Sequence, residues 1–367
     1  MSELLLLCIN CKIKRINWLT YLISMRFYKD PNKIYLDSAK ACPLYFELLK
    51  WRNKYEKKSL VDKSEIRINH ENVVESVRVE VSNFFNVKNG DVFFSTSFSQ
   101  SFHSLINELK TNPTFIVLED DYPAISDSIK KNNYKIIYVK NDENVEKNLE
   151  NAVKIHNPDF LAISIVQWID GIKLDLDFLK SLKLINKNLT IIGDGTQFCG
   201  TSKFNFDKSP FDVLISSGYK WMFSGYGIAF ILIKQSFYKN KFIDLKKSQM
   251  KECFEMGHYD MLAIGSLSFS LKRLEKSIHS IEKKLNEYSQ ILMSELAELG
   301  LINKKIKKRQ KHSTIFNIND PNGKLFKFLS KNNFICSQRG RGVRVSLNFF
   351  NTKSEIKTLI QALKKFN

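Results

Sequence analysis

The stretch DVLISSGYKWMFSGYG, Asp212–Gly227, shows best what kind of fold this sequence encodes. Its first part, Val213–Ser216, is apolar at nearly every position, which is typical of a strand covered on both faces of a sheet. The polar residues that follow place Lys220 at the end of that strand. Ligands of open α/β sheets bind at the carboxyl ends of the strands. Lys220 is therefore either one more solvated cation or part of a binding site.

Six more apolar runs have the same character and predict six more strands. They are Asp91–Ser97, Thr114–Asp120, Lys135–Lys140, Phe160–Val166, Leu189–Gly195 and Ile228–Lys234. Segments with helical periodicity, such as Val145–His156 and Leu174–Ile185, lie between several of them. This alternation predicts an α/β domain with a mostly parallel sheet.

The pattern changes beyond about Leu262, where a long amphipathic stretch runs to Gly300 and is followed by short strands and a closing helix. We predict a large α/β domain of residues 73–261 and a small α+β domain of residues 31–72 and 262–367. Residues 1–30 form an N-terminal extension, either an amphipathic helix or a dispensable segment. Its apolar patches fall short of the roughly 20 residues that a membrane span needs, and it lacks the features of a signal peptide.

The net charge of +19 raises the question of a nucleic-acid partner. The lysines are dispersed, however, and the densest run, Lys304–His312, lies between two short apolar pieces. Such a run is typical of a solvated hairpin. No specific nucleic-acid partner is predicted, although a nucleic-acid-associated or non-catalytic protein on the same fold stays an alternative.

The cysteines indicate reduced thiols in a cytoplasmic protein, because their spacing fits neither a disulfide framework nor a metal site. A CxxC motif at Cys8 and Cys11 has no second pair or histidine nearby. The others are isolated in the chain: Cys42, Cys199, Cys253 and Cys336.

Three strand ends carry polar residues that complement one another. The turn at Ser97 and Phe98 opens a helix, where free N–H groups suit a phosphate, although Ser97 or Ser99 could equally act as an ordinary N-cap. Asp194 follows a buried strand and needs a cationic partner. A phosphate cradle, a carboxylate for a ring nitrogen and the amine of Lys220 are the parts that hold pyridoxal phosphate.

Six sequence blocks resemble the class V aminotransferase family of fold-type I pyridoxal-phosphate enzymes, which includes cysteine desulfurases, kynureninases and isopenicillin-N-epimerase-like proteins. The resemblance covers about residues 33–367 and implies a large mostly parallel-sheet domain, a smaller α+β domain and a homodimer. The blocks, in chain order, are YLDSAKACPL (35–44), TSFSQSFH (96–103), LEDDYPA (118–124), DGTQFCG (194–200), SSGYKW (216–221) and GVRVSLNFFNTKSEI (342–356).

The resemblance assigns a role to each matching residue. Lys220 is the Schiff-base lysine and the base that moves the Cα proton, Asp194 pairs with the pyridinium nitrogen, and Arg344 binds the substrate α-carboxylate. His258 follows a glycine where many relatives have a threonine that reaches the phosphate of the neighbouring subunit. The remaining assignments are Ser97, Phe98, Ser217 and Tyr219 at the phosphate, Gln197 at the ring oxygen, Tyr122 stacked on the ring, and Ser38, Gln167 and Trp168 at the substrate.

Arg344 could instead form a structural salt bridge. Its neighbours Arg339 and Arg341 are also basic, and no acid lies beside them in the sequence. This arrangement favours an external anion.

The reaction is predicted to be aminotransfer on an α-amino acid, with a lyase of the kynureninase or selenocysteine-lyase type as the alternative. Cysteine desulfurases of this family need a nucleophilic cysteine on a mobile loop shortly before the carboxylate-binding arginine. The segment before Arg344 leaves no room for such a loop, and Cys336 falls in a strand-like run, where a buried inert thiol is expected. A persulfide-forming desulfurase is therefore not favoured.

Overall fold

A seven-stranded sheet lies at the centre of the computed structural model, which describes residues 25–307, 309 and 311–366. Its strand order is β2-β8-β7-β6-β5-β3-β4. The strands of the described chain are β1 (Ile34–Tyr35), β2 (Gly90–Ser95), β3 (Thr114–Leu118), β4 (Lys135–Val139), β5 (Phe160–Ser164), β6 (Thr190–Asp194), β7 (Val213–Ser217), β8 (Ala229–Lys234), β9 (Ile315–Asn319), β10 (Phe334–Ile335), β11 (Ser337–Arg339) and β12 (Gly342–Ser346).

All seven apolar runs predicted to be strands are strands of this sheet, and the mostly parallel arrangement is confirmed. β4, β3, β5, β6 and β7 run parallel to their neighbours. β8 is antiparallel to both β7 and β2. The carboxyl ends of β2, β5, β6 and β7 therefore reach the same edge of the sheet.

Helices cover both faces of the sheet, which explains the apolar strands. Phe93 and Phe94 of β2 are neighbours in the chain, but their side chains join separate hydrophobic clusters on opposite faces. The α-helices are α1 (Phe46–Asp62), α2 (His70–Phe85), α3 (Phe98–Asn107), α4 (Pro123–Lys131), α5 (Val145–His156), α6 (Leu176–Ile185), α7 (Lys247–Phe254), α8 (Met261–Glu298), α9 (Lys324–Lys331) and α10 (Lys353–Phe366).

α8 connects the large sheet to the C-terminal elements. The Asp260 carboxylate caps its first turn by accepting from the N–H groups of Leu262 and Ala263, and Gly300 follows its end with a positive φ of 66°. The predicted stop at Gly300 is confirmed. Beyond it, β9, β11 and β12 form an antiparallel sheet, while β1 pairs with β10 in parallel. The domain boundaries themselves stay a prediction.

The end of the predicted N-terminal extension packs into the protein core. Met25 is fully buried, and the ring of Phe27 lies 4.7 to 5.9 Å from those of Tyr45, Phe223, Phe349 and Phe350. The CxxC motif and the apolar patches lie outside the described residues. Within the described part of the chain, none of the helices is both long and apolar enough to cross a membrane.

The basic run Lys304–His312 is not a solvated hairpin, so that prediction is wrong. Ile306 and His312 are buried, and Arg309 forms an ion pair with Glu146. Lys305 and Lys311 lie near carboxylates of the large domain. Burial of the apolar residue in the middle of the run draws the neighbouring cations toward carboxylates of the large domain.

Candidate active site

A cleft lies at the carboxyl ends of β2, β5, β6 and β7. It brings together most of the residues predicted for the cofactor. The lining residues are Ser97, Phe98, Ser99, Tyr122, Ser164, Trp168, Asp194, Thr196, Gln197, Ser217, Tyr219 and Lys220. Ser99, Ser164 and Thr196 were not predicted for it, although Thr196 lies within the DGTQ block that pointed to Asp194.

One end of the cleft is formed by the first turn of α3. The Ser97 hydroxyl caps the helix by accepting from the N–H of Gln100 at 3.2 Å. The N–H of Phe98 donates to the Ser217 hydroxyl at 2.8 Å, and the N–H of Ser217 donates to the Thr196 hydroxyl at 3.2 Å. Hydroxyls from three elements thus meet at a helix N-terminus, where the helix dipole favours an anion such as a phosphate.

Asp194 lies at the end of β6 with its carboxyl group buried. It accepts a hydrogen bond of 2.8 Å from the N–H of Thr196. Burial raises the pKa of Asp194 to about 6, although that hydrogen bond and the nearby Lys220 act to lower it. Because burial disfavours the charge of this carboxylate, a cation that enters the cleft beside Asp194 stabilises it.

Lys220 follows β7 and is only 8% exposed, which excludes the solvated-cation alternative. Burial lowers the pKa of Lys220 to about 8. The negative charge of Asp194 acts in the opposite direction and raises this pKa, but burial has the larger effect. Roughly a tenth of such amines are neutral at pH 7, compared with far fewer for an ordinary lysine. The amine is therefore a competent nucleophile and base at this position.

Competitive acetylation of the apoprotein should report this lowered pKa directly. We expect the acetylation rate of Lys220 to rise about tenfold per pH unit below pH 8 and to level off above it, because only the neutral amine reacts. Mass spectrometry of peptides labelled at several pH values measures the rate, with exposed Lys135 as the internal reference. A Lys220 rate still rising steeply at about pH 10 would contradict the assignment.

An aromatic wall closes one side of the cleft. The ring of Tyr122 makes edge contacts with Phe98 and Trp168, each at 5.9 Å between ring centres. The Trp168 indole donates to the carbonyl oxygen of Asp120 at 3.1 Å. These perpendicular contacts hold the ring of Tyr122 in the wall of the cleft, where an aromatic ring suits a flat ligand.

Asp121 supports this wall from below, a role that the sequence analysis missed. Its buried carboxylate accepts from the N–H of Tyr122 at 2.7 Å, from the N–H of Ser164 at 3.0 Å and from the Ser164 hydroxyl. Burial raises its pKa. In the sequence, this role is signalled by an acid three positions after the end of β3.

The two predicted glutamines differ in position. Gln197 lines the cleft, with its amide N–H donating to the carbonyl of Ala39 and its oxygen accepting from the Trp221 indole, each at 2.8 Å. Gln167 is not among the lining residues, and its contact with the substrate stays a prediction. Its amide turns inward to the carbonyl of Ser164 at 3.1 Å, so Gln167 buttresses the wall instead.

Arg344 is only 2% exposed and lies on β12 beside the cleft. Its Nη1 donates to the carbonyl of Trp168 at 2.8 Å, and its Nη2 lies 3.4 Å from a carboxylate oxygen of Asp37. The fold thus gives Arg344 an acidic neighbour that its sequence neighbours do not supply, an aspartate 307 positions earlier in the chain. The Ser337 hydroxyl donates to the other oxygen of the same carboxylate.

Two polar atoms in this region are buried without a hydrogen-bond partner among the described residues: Nε of Arg344 and the hydroxyl of Ser38. Buried polar groups in native proteins are nearly always paired with protein, water or a ligand, so these two atoms are available to a bound group. Arg344 and Ser38 were both predicted to bind the substrate.

His258 lies outside the cleft. Its Nε2 is 2.6 Å from Nη2 of Arg67 on an exposed surface. The role expected for His258 concerns the neighbouring subunit, so it stays a prediction.

The residues of the cleft fit pyridoxal phosphate. A buried amine, a buried carboxyl that needs a cation, a helix start rich in donors and an aromatic ring in the wall match its aldehyde, ring nitrogen, phosphate and ring, respectively. The sheet topology and this site define a fold-type I pyridoxal-phosphate-dependent enzyme. Residues 34–359 match the family model described as aminotransferase class-V, and the chain belongs to that family.

Proteins similar to this chain are described as enzymes of sulfur chemistry. A probable cysteine desulfurase of Mycoplasma genitalium is 26% identical over 340 residues, which span 80% of this chain and 81% of that protein. The apo cysteine desulfurase of Thermococcus onnurineus has a TM-score of 0.76 at 16% identity, covering 93% of this chain and 99% of its own. The cystine C–S lyase C-DES, in complex with cysteine persulfide, has a TM-score of 0.77 at 14% identity, covering 91% of this chain and 97% of its own.

Proposed function

We propose that the protein is a pyridoxal-phosphate-dependent lyase that acts on an α-amino acid at Lys220 and cleaves a carbon–sulfur bond at Cβ. The observation that carries the amino-acid part is the unpaired Nε of buried Arg344, at a position suited to an α-carboxylate. The desulfurase relative at 26% identity supports the carbon–sulfur part, as do the names of the structural neighbours. Aminotransfer, the reaction expected first from the sequence, stays a prediction without comparable support.

Each residue of the cleft has a task in this reaction. Bound pyridoxal phosphate supplies an electron sink for the charge that develops at the substrate Cα. The carboxylate of Asp194 stabilises a positive charge beside it, and the first turn of α3 binds an anionic group. The neutral amine of Lys220 takes up the Cα proton, while Arg344 and Ser38 hold the carboxylate so that the reacting bonds are oriented.

The sulfur is proposed to leave as a free product and not on an enzyme cysteine. Cys336 is the single residue between β10 and β11, and burial raises its pKa to about 12. Burial also raises the pKa of Cys42, Cys199 and Cys253, the other cysteines of the described residues. None of these four thiols has the lowered pKa of a nucleophilic cysteine.

The holoenzyme should convert L-cysteine and water into pyruvate, ammonia and hydrogen sulfide without any keto-acid acceptor. We expect Cys336→Ser to leave these yields unchanged, because a half-buried thiol with a raised pKa takes no part. Pyruvate and sulfide assays on both proteins measure the reaction. Product formation that needs an added keto acid would identify an aminotransferase, and a persulfide on Cys336 with an inactive Cys336→Ser variant would identify a desulfurase.

A homodimer is also proposed. Large apolar side chains are exposed at Leu60, Val61, Ile68 and Met256. The contact between Arg67 and His258 joins the two segments that carry them. Exposed apolar groups of this size favour a partner surface.

A further inference from the structure

A second arginine of the C-terminal sheet faces the cleft. In the antiparallel pair of β11 and β12, Ser337 lies opposite Arg344. Directly opposed residues point to the same face of a sheet, as do residues two positions apart in one strand. Arg339 follows Ser337 by two positions, so Arg339 and Arg344 share the face that contacts Asp37 and Trp168.

The guanidinium of Arg339 lies over the Trp168 ring, 6.0 Å from its centre, and Trp168 lines the cleft. Its Nη1 donates to the carbonyl of Gln338 at 2.8 Å. Across the part of the chain that the structure describes, no carboxylate lies within ion-pair distance of it. Stacking uses only the face of a guanidinium, so donors on its edge stay free for a planar anion.

The positive charge of Arg339 acts on Lys220 and Arg344, two residues of the proposed reaction. Burial is the main cause of the lowered pKa of Lys220 and of Arg344, and the positive charge of Arg339 lowers both further. Arg344 is compensated by Asp37, whereas Arg339 is not. An uncompensated cation beside the wall of a binding cleft favours an anionic ligand there.

We propose that Arg339 binds a second acid group of the substrate, at the end of its side chain. The substrate class is then an α-amino acid whose Cβ substituent carries a carboxylate or another oxyanion. The Arg339 proposal rests on the proposed function only in assuming that an α-amino acid binds at Lys220 and Arg344. The preference for a distal anion depends on Arg339 alone.

Two matched substrates test the proposal on the holoenzyme. S-carboxymethyl-L-cysteine and S-carbamoylmethyl-L-cysteine have almost the same shape, but only the first carries a distal charge. We expect kcat/KM to favour the charged compound by about tenfold to a hundredfold, as a charge-assisted pair of hydrogen bonds would, with most of the difference in KM. Arg339→Gln should remove the preference. Arg341→Gln, which removes an exposed charge from the same turn, should keep it.

Binding without turnover separates this proposal from the proposed function. Calorimetry should show that glutarate binds the holoenzyme more tightly than butyrate, and that Arg339→Gln removes the difference while the thermal midpoint stays unchanged. If this holds and the holoenzyme releases pyruvate neither from L-cysteine nor from either derivative, the proposed function fails and the Arg339 site stands. If both derivatives react equally well, or Arg339→Gln keeps the preference, the Arg339 proposal is overturned.

Discussion

Replacing Lys220 with alanine should reduce turnover by about 10²–10⁴-fold or more, the range over which a positioned acid–base group contributes. The amine is buried, its pKa is lowered to about 8, and it lies beside Asp194 in the cleft. Alanine supplies neither the nucleophile nor the base. No other lysine lines the cleft among the described residues, so no substitute amine is at hand.

Borohydride reduction followed by mass spectrometry gives a second readout. The wild-type protein should retain the cofactor on the peptide that contains Lys220, and Lys220→Ala should not. Lys220→Arg is the matched control, because it keeps a cation in the cleft but cannot attack an aldehyde; it should be as inactive as alanine. Reduced cofactor on another lysine of the wild-type protein would contradict the assignment.

Asp194→Asn should lower turnover by about 10²–10³-fold, the usual effect of removing one preorganised electrostatic group, yet stabilise the apoprotein at alkaline pH. The pKa of Asp194 is raised to about 6 from an ordinary value of 3.8. The folded state therefore holds the proton more tightly than the unfolded state, and stability present at pH values below the ordinary pKa is lost as the pH rises through about 6. Two pKa units correspond to about 3 kcal/mol, a net value that already includes the attraction to Lys220.

Urea denaturation of the apoproteins at pH 8 and at about pH 4 checks the sign of this effect. The gain in stability from Asp194→Asn should be present at pH 8 and absent at the lower pH, where the aspartate is already neutral in the folded protein. Asp177→Asn, which removes an exposed charge from α6, should show no such pH dependence. A less stable Asp194→Asn apoprotein at pH 8 would show that the carboxylate is stabilising as it stands.

Where the sequence succeeded, the relevant signal was local. The seven strands are apolar because helices cover both of their faces, and parallel strands end at one edge of the sheet. The strand ends alone could therefore bring Ser97, Asp194, Ser217 and Lys220 together. Neighbouring residues do not reveal long-range packing. Gln167 follows β5 as expected, but its side chain turns away from the cleft toward the carbonyl of Ser164.

The sequence by itself determined the sheet and the family and predicted the residues of the cofactor site, because periodicity and strand-end chemistry are written in neighbouring residues. Only the tertiary structure decided which partners distant residues take. It paired Arg344 with Asp37, set Arg339 over Trp168, and neutralised much of the basic run with acids of the large domain. Such pairs depend on how β1, β11 and β12 dock against the cleft, and burial decides which charges are compensated and which stay free for a ligand.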